Sequence, residues 1–371
     1  MKKFINIAFI VFFLSAFMPV ASASPIIIRL TSTYHQNFTG EFRDDDLAQE
    51  LTPSGRLGQL VFVQENKSYI WVIDPALIDE VIAMTGDYKL ASDAVPSGKE
   101  IAISWLNQLK KISAANEVIA LAYGNPDVRL TKSMAPSELN LYYSFGKTAL
   151  EAALGRVVRS EPNAGWSRGK TKLSQTLRRD YGDDRIDITN LAKVVAIPEV
   201  IKLRMRLAAL LSPDLDTENR ESFVVNARAA VDAQLYKLRV NPGKYQITTQ
   251  KAVLPVTVIN GFPVEVTVNV AMEATNARIV VDSFSNVKLP PNSKLQLELN
   301  TFVVAPGQTT VFAQLTDANG NSVVPPAVLA LNATVIDPRL TWFTTGAAIL
   351  LLLAAITQSV RRVRKGRHSE I

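Results

Sequence analysis

The segment from about residue 245 to 336 carries the pattern that most restricts the fold. Seven short runs in it alternate apolar and polar residues: YQITT, LPVTVIN, VEVTVNVAM, ARIVVDSF, KLQLELNTFVV, TTVFAQL and AVLALNATVI. Turn-rich joints such as residues 317–321 separate these runs. A period of two places alternate side chains in a core, as in a half-buried strand. Seven such strands within about ninety residues are typical of an immunoglobulin-like sandwich, which we predict for residues 246–337.

A different pattern, present twice, precedes the predicted sandwich. The runs RLGQLVFVQENKSYIWVIDPALIDEVIAM and ISWLNQLKKISAANEVIALAYGNPDVRLT each indicate a helix, a loop, a buried strand and a second helix. Continuous apolar strands between helices are typical of parallel α/β units. From about residue 136 to 238, apolar residues recur every three or four positions, which predicts helices. We therefore predict an α/β domain with a helical part over residues 24–245.

A polar stretch interrupts the helical part at residues 163–187, NAGWSRGKTKLSQTLRRDYGDDRID. It is rich in arginine and aspartate, so both an exposed loop and an anion-binding site are conceivable. Because its charges alternate in sign, we interpret it as solvated surface rather than an anion site.

The two ends of the chain have the composition of targeting and anchoring segments. Residues 1–23 combine two lysines, an apolar run and a small-residue site, which predicts a cleaved signal peptide. Residues 340–360 carry no charge and predict one transmembrane helix, with the lipid bilayer as a partner. Basic residues follow it, and positive charge stays on the cytoplasmic side; they are Arg361, Arg362, Arg364, Lys365 and Arg367. The expected topology is a single-pass cell-membrane protein with residues 24–339 outside the cytoplasm and a tail, 361–371, inside.

This expected topology accounts for the net charge of +6. The tail and the two leader lysines contribute all of it, so the segment between them is formally neutral and gives no support for a nucleic-acid partner. The chain has no cysteine, which excludes disulfides, a thiol nucleophile and cysteine metal sites.

Two aspartates are the candidate catalytic residues. Asp74 and Asp127 each lie near the end of a predicted strand, where carboxylates of parallel α/β folds line the active face. Together they would supply the acid and the nucleophile of a glycosidase. The simpler interpretation is that Asp74 caps a helix that begins at Pro75. The second unit has Asn125 before Pro126 at the equivalent place, and asparagine also caps helices, so we favour the capping role. Asp127 would then fall in the first turn of its helix, where a carboxylate suits the dipole.

The sequence offers few other candidates for catalytic, metal-binding or ligand-binding residues. His35 is the one histidine ahead of the tail, so a metal site with two histidines is excluded, and neither a phosphate-binding loop nor a nucleophile-elbow motif is present. We predict no metal and no cofactor. Among the aromatic residues, Tyr123 and Trp166 are the candidates for exposed side chains that stack on a glycan.

Several segments resemble an uncharacterised actinobacterial cell-envelope family. They are WVIDPALIDEV, WLNQL, LAYGNPDV, RLAALLS, the run KLRVNPGKYQITTQKAVLPVTVINGFPVEVTVNV and the apolar terminal run with its basic tail. The resemblance runs from about residue 55 to the end. The family consists of single-pass proteins of unknown function, often encoded beside the lipid II flippase, and longer members have extra sequence ahead of the DPAL segment. It implies a location rather than a reaction, because no agreed catalytic residue maps onto this chain.

The sequence therefore predicts a non-catalytic, membrane-anchored scaffold or accessory protein of cell-wall assembly. Its expected partners are cell-wall synthesis or export proteins, with cell-wall glycan as a further candidate. The alternative is a glycan-active enzyme that uses Asp74 and Asp127.

Overall fold

The computed structural model describes residues 25–64, 68–92, 94–160, 165–334 and 338–366. The chain forms two compact units. The first comprises the described residues up to Lys172 together with Ala208–Arg220, and the second comprises Leu173–Leu207 with the residues from Glu221 onward. The predicted signal peptide at residues 1–23 lies outside the described residues.

A small parallel sheet forms the centre of the first unit. Its strands, in spatial order, are β1 (Ile26–Leu30), β2 (Tyr69–Ile73), β3 (Glu117–Ala120) and β4 (Arg159–Ser160). Ile28 lies opposite Trp71 in β2, and Trp71 lies opposite Val118 in β3. The apolar run of β2 is buried along most of its length, which is why the sequence shows it as continuous rather than alternating.

Six helices of the first unit connect and cover these strands within the described ranges. They are α1 (Asp46–Leu51), α2 (Arg56–Phe62), α3 (Pro75–Thr85), α4 (Lys99–Ser113), α5 (Val128–Met134) and α6 (Pro136–Leu154). Trp71 and Trp105 are fully buried in the core of this unit. The indole Nε1 of Trp105 donates to the Leu57 carbonyl at 3.1 Å, which satisfies its one polar atom inside an apolar environment.

The second unit begins with helices that the sequence only partly predicted. They are α7 (Gln175–Val194), α8 (Pro198–Arg206) and all but the first turn of α9 (Thr217–Leu235). The short 3₁₀ helix at Leu207–Leu211, between α8 and α9 in the chain, lies almost wholly in the first unit. The second half of the polar stretch at 163–187 belongs to helix α7 rather than to an exposed loop, and most of its charged side chains are exposed or partly exposed. Ser174 caps this helix by accepting from the Leu177 N–H, and Tyr181 and Ile188 are buried. Helical spacing of a few apolar residues was hidden by the many charges between them.

The remainder of the second unit is an immunoglobulin-like β fold of two sheets. One sheet has five strands, in the order β10 (Phe284–Leu289), β8 (Val266–Ala274), β12 (Gly307–Thr316), β13 (Ala327–Ala333) and β6 (Gly243–Ile247). The other sheet has four strands, in the order β5 (Leu238–Val240), β7 (Lys251–Asn260), β11 (Ser293–Val303) and β9 (Ile279–Val281). Pairing is antiparallel except between β6 and β13, which run parallel. Alternate residues of the long strands, such as Val256 and Val258 in β7, are fully buried, as the period of two predicts.

One predicted strand is two strands in the structure. The run ARIVVDSF contributes β9 to one sheet and β10 to the other. The Ser283 hydroxyl, at the junction, accepts from the Met272 N–H of β8. A strand that changes sheets at a bend keeps its apolar alternation, so the pattern alone does not show the division.

The prediction of a transmembrane helix at residues 340–360 is wrong, and with it that part of the predicted fold class and the single-pass localisation. Residues Pro338–Gly366 form helix α10, but within the described part of the chain no helix is long and apolar enough to cross a bilayer. The run without polar residues extends only from Ala347 to Ile356, which at about 1.5 Å per residue covers roughly half of a hydrocarbon core. The basic residues 361–365 continue the same helix, and Arg367 lies outside the described residues.

Candidate functional site

Polar side chains gather at the carboxyl ends of the parallel strands. Tyr34 and His35 follow β1, Asp74 follows β2, and Asn125 and Asp127 follow β3. These ends face the same edge of the sheet, which is the edge where singly wound parallel α/β folds place their ligands. Two environments occur at this edge: a buried group of carboxyls around Asp74 and a basic cavity beside Asp127.

Asp74 is the N-cap of α3, and Pro75 is the first helical residue. Its Oδ1 accepts from the Ala76 N–H and from the Gly124 N–H, both at 3.0 Å. The Tyr34 hydroxyl donates to Oδ2 at 3.4 Å. One carboxyl group therefore caps its own helix and joins the turns that follow β1 and β3.

The surroundings of the Asp74 carboxyl favour its protonated form. Only 1% of the residue is exposed, and burial raises its pKa to about 8, although the N–H groups of Ala76 and Gly124 oppose the shift. The charges of Asp214 and Glu80 raise the pKa further. A neutral carboxyl is what a general acid needs, but this one is buried, and its accepting oxygen is occupied by backbone donors.

Asp127, rather than Asn125, caps the next helix. Its Oδ1 accepts from the N–H groups of Arg129 and Leu130 at 2.9 and 3.2 Å, and α5 begins at Val128. The predicted equivalence of Asn125 with Asp74 is therefore wrong. Gly124 and Asn125 both have positive φ, 82° and 38°, because the chain turns here before the helix starts, and asparagine tolerates this conformation better than most residues.

Asn125 has another role in the turn. Its Nδ2 donates to Asp214 Oδ2 at 2.7 Å, and Asn125 itself is 2% exposed. Burial raises the pKa of Asp214, while the bond from Asn125 and the charges of Arg29 and Arg56 oppose the shift. Asp214 lies in the segment 208–220 that returns to the first unit. Sequence spacing gave no indication of this contact, because the two residues are 89 positions apart.

The two candidate catalytic carboxylates lie in different surroundings. Asp127 lines a cavity of about 410 Å³ in which Asp74 takes no part. Each carboxylate accepts from N–H groups at the start of the helix that it caps. An acid and nucleophile pair would need both groups facing one substrate, and this arrangement does not provide that.

The two aromatic residues that were predicted to bind a glycan, Tyr123 and Trp166, differ in how deeply they are buried. Tyr123, expected to be exposed, is 2% exposed, and its hydroxyl donates to Asp79 at 2.9 Å. Trp166 is partly buried against Val72, Ile119 and Leu121. The buried Tyr123 ring therefore offers no open face for stacking on a glycan, whereas the role of the partly exposed Trp166 stays a prediction.

His35 is a buried structural residue. Its Nδ1 lies 2.8 Å from Asp44 Oδ1, and its backbone N–H donates to Glu80. Within the described ranges, no group of three or more histidine, aspartate and glutamate side chains is placed to hold a metal ion.

The basic cavity beside Asp127 was not predicted as a site. It is lined by residues of α5, by Tyr143 of α6 and by residues 165 and 167–170. Four of its lining side chains are cations and one is an anion; the cations are Arg129, Lys132, Arg168 and Lys170. The stretch that contains Arg168 and Lys170 was interpreted as solvated surface rather than an anion site because its charges alternate in sign. Its spacing gave no sign of Arg129 and Lys132, which lie far from it in the chain.

A hydrogen-bonded junction holds the cavity's loop in place. The Thr171 N–H donates to Asp127 Oδ2 at 2.8 Å, and the Thr171 hydroxyl donates to the Leu211 carbonyl at 3.0 Å. The Asp127 N–H donates to the same carbonyl at 2.9 Å. Gly169 has φ of +96°, and an added Cβ would meet the Pro213 ring at 2.6 Å, so this turn requires glycine.

Comparison with known proteins gives a family but no activity. A model described as a family of unknown function (DUF6049) matches residues 145–368. The chain belongs to this family. The match begins within α6, so strands β1 to β3 precede it. No curated protein matches the sequence.

Solved structures show only distant likeness to this DUF6049 protein. WR4, a Caenorhabditis elegans MSP family member, is 11% identical, with 26% of this chain and 98% of that chain covered and a TM-score of 0.21. A PapD-like domain of human CEP192 is 10% identical, with 27% and 87% covered and a TM-score of 0.21. The N-terminal part of the bacterial S-layer protein SbsC is 14% identical, with 69% and 63% covered and a TM-score of 0.13. Likenesses at these scores carry no argument about function.

Proposed function

We propose that this protein is a non-catalytic scaffold or accessory protein of a bacterial cell envelope that acts in cell-wall assembly. The observation that supports the non-catalytic part is the use of both candidate carboxylates as helix caps. Asp74 is also not among the residues that line the cavity beside Asp127. The envelope setting rests on the resemblance of the DPAL and YGNPD segments to an actinobacterial family and on the predicted signal peptide. The β-sandwich supplies exposed strand faces of the kind that binding modules use.

The proposed partners are proteins of cell-wall synthesis or export. The experiment is in-cell crosslinking and affinity recovery from the native host. It compares wild type, an Asp74→Asn and Asp127→Asn double variant, and a control Glu100→Gln variant, in which the altered residue is exposed on α4. Circular dichroism first establishes that all three are folded.

The scaffold proposal expects envelope-synthesis proteins to be recovered equally by all three forms, and all three to complement a deletion. Failure to recover such proteins with wild type would overturn it. If the folded double variant recovers the same partners but does not complement, the enzyme alternative is supported, because only the ionisable groups have been changed.

A further inference from the structure

The cavity beside Asp127 has an excess of positive charge that its surroundings do not neutralise. In the described part of the chain, Arg129, Arg168 and Lys170 have no carboxylate partner. The single lining carboxylate, Asp127, already accepts from three backbone N–H groups. Cations held together without counter-charges repel one another, and a bound anion would relieve that repulsion.

The positive charge of Arg168 also affects the pKa of another arginine, Arg29. Burial lowers the pKa of Arg29, and the charge of Arg168 lowers it further, although Asp214 opposes the change. Arg168 therefore acts on a residue of β1 as well as lining the cavity.

The cavity also has the size and lining of a small-molecule site. Its volume of about 410 Å³ lies in the range of roughly 300–1,000 Å³ that is usual for ligand pockets. Tyr143 and Ser167 add hydroxyl-bearing side chains to the lining. Burial raises the pKa of Tyr143, so its hydroxyl remains a hydrogen-bond donor at neutral pH.

The chemistry of these donors selects among anions. Guanidinium groups offer a planar pair of N–H donors that suits phosphate, and lysine is a common phosphate-binding cation. A monocarboxylate would leave most of the charge of Arg129, Arg168 and Lys170 unneutralised, whereas a phosphate ester or a diphosphate carries two or more charges in the same volume. We infer that this cavity binds a phosphate-bearing small ligand, with Arg129, Arg168 and Lys170 as its principal contacts and Asp127 as a positioning residue for the loop.

This inference deepens the proposed binding role by assigning a ligand class to the first unit. The test is isothermal titration of the full chain with inorganic pyrophosphate at low salt, with acetate as the monoanion comparison. Each cation that contacts an anion contributes about tenfold or more to affinity. We therefore expect Arg168→Gln with Lys170→Gln to weaken pyrophosphate binding roughly tenfold to a hundredfold, and Arg129→Gln to weaken it about tenfold.

The matched control is Lys110→Gln with Lys111→Gln, which removes the same charge from exposed positions on α4. We expect this control to bind pyrophosphate as wild type does. Absence of pyrophosphate binding, equal binding of acetate, or equal weakening by the control would each overturn the proposal, since they would indicate no site or only diffuse attraction.

A vesicle arm distinguishes a free ligand from a lipid headgroup. Flotation with phosphatidylcholine vesicles that contain phosphatidic acid is measured with and without competing pyrophosphate. If the protein floats with the vesicles, and both added pyrophosphate and the Arg168 and Lys170 substitutions abolish flotation, the site binds a phosphate headgroup. If pyrophosphate binds in the titration but the protein does not float, the site binds a soluble phosphate compound. A negative titration with unchanged crosslinking partners would reject this ligand while leaving the scaffold proposal in place.

Discussion

Replacing Asp74 by asparagine should make the protein less sensitive to alkaline pH while leaving its fold intact. Asparagine keeps an oxygen that accepts from the N–H groups of Ala76 and Gly124, and its amide can donate toward the Tyr34 hydroxyl. The cap is therefore preserved. What is lost is one ionisable group whose pKa is about 8 in the folded protein.

The magnitude follows from linkage between protonation and folding. The folded-state pKa is raised from 3.8 to about 8, so between these values the folded state binds the proton more tightly than the unfolded state does. Stability is therefore lost as pH rises through that window. One pKa unit corresponds to about 1.4 kcal/mol, so wild type should lose about 4 kcal/mol more than the variant between pH 5 and pH 8.

The assay is urea unfolding of the full chain at pH 5, 6, 7 and 8, followed by tryptophan fluorescence, because Trp71 and Trp105 lie in the core of the same unit. The quantity compared is the difference between wild type and variant at each pH, since other titrating groups contribute equally to both. Parallel profiles would refute the reasoning, as they would show that Asp74 is ionised in the folded protein. A variant that does not fold would show that the cap requires a carboxyl group.

Three further substitutions test other parts of the structure by the same unfolding assay. Trp105→Ala should destabilise the first unit by about 3–5 kcal/mol because it empties a fully buried position; a cost under about 1 kcal/mol would contradict the assigned core. Asn260→Ala should cost roughly 2–4 kcal/mol, since this buried amide donates to the carbonyls of Leu289 and Pro290 and accepts from Phe262; an unchanged midpoint would argue against those bonds. Arg228→Gln should cost about 1–3 kcal/mol of unfolding free energy at pH 8 and less at pH 5. Burial raises the pKa of Asp184 to about 6 against the opposing charge of Arg228, so the Asp184 charge that Arg228 pairs with is largely lost at pH 5. A cost independent of pH would show that the pair does not interact.

Local pattern was sufficient for much of the secondary structure. The strand at Tyr69–Ile73 and the helix that follows it were predicted within a residue or two, because a buried strand and an Asp-Pro helix start are determined by neighbours in the chain. Helix α7 was missed, since its buried positions are separated by many charged residues. The division of ARIVVDSF between two sheets was also missed, because alternation continues through the bend.

The apolar run near the end of the chain shows that a lack of charged residues is not enough to predict a transmembrane helix. An uncharged stretch at 340–360 predicted a transmembrane helix, whereas the described helix α10 is not apolar over enough of its length. A count of charged residues overlooks the uncharged threonine, glutamine and serine residues that interrupt the apolar run.

By itself, the sequence determined the local features: the parallel α/β units, the alternating strands, the cap at Asp74, and the absence of cysteine chemistry. Tertiary structure alone decided the candidate site. It brought Arg129 and Lys132 together with Arg168 and Lys170, and it buried Asp74 beside the turn that contains Asn125. The physical reason is that helix caps and strand periods depend on residues a few positions apart, whereas charge excess and burial depend on groups that are about forty or more positions apart and become neighbours only when the chain folds.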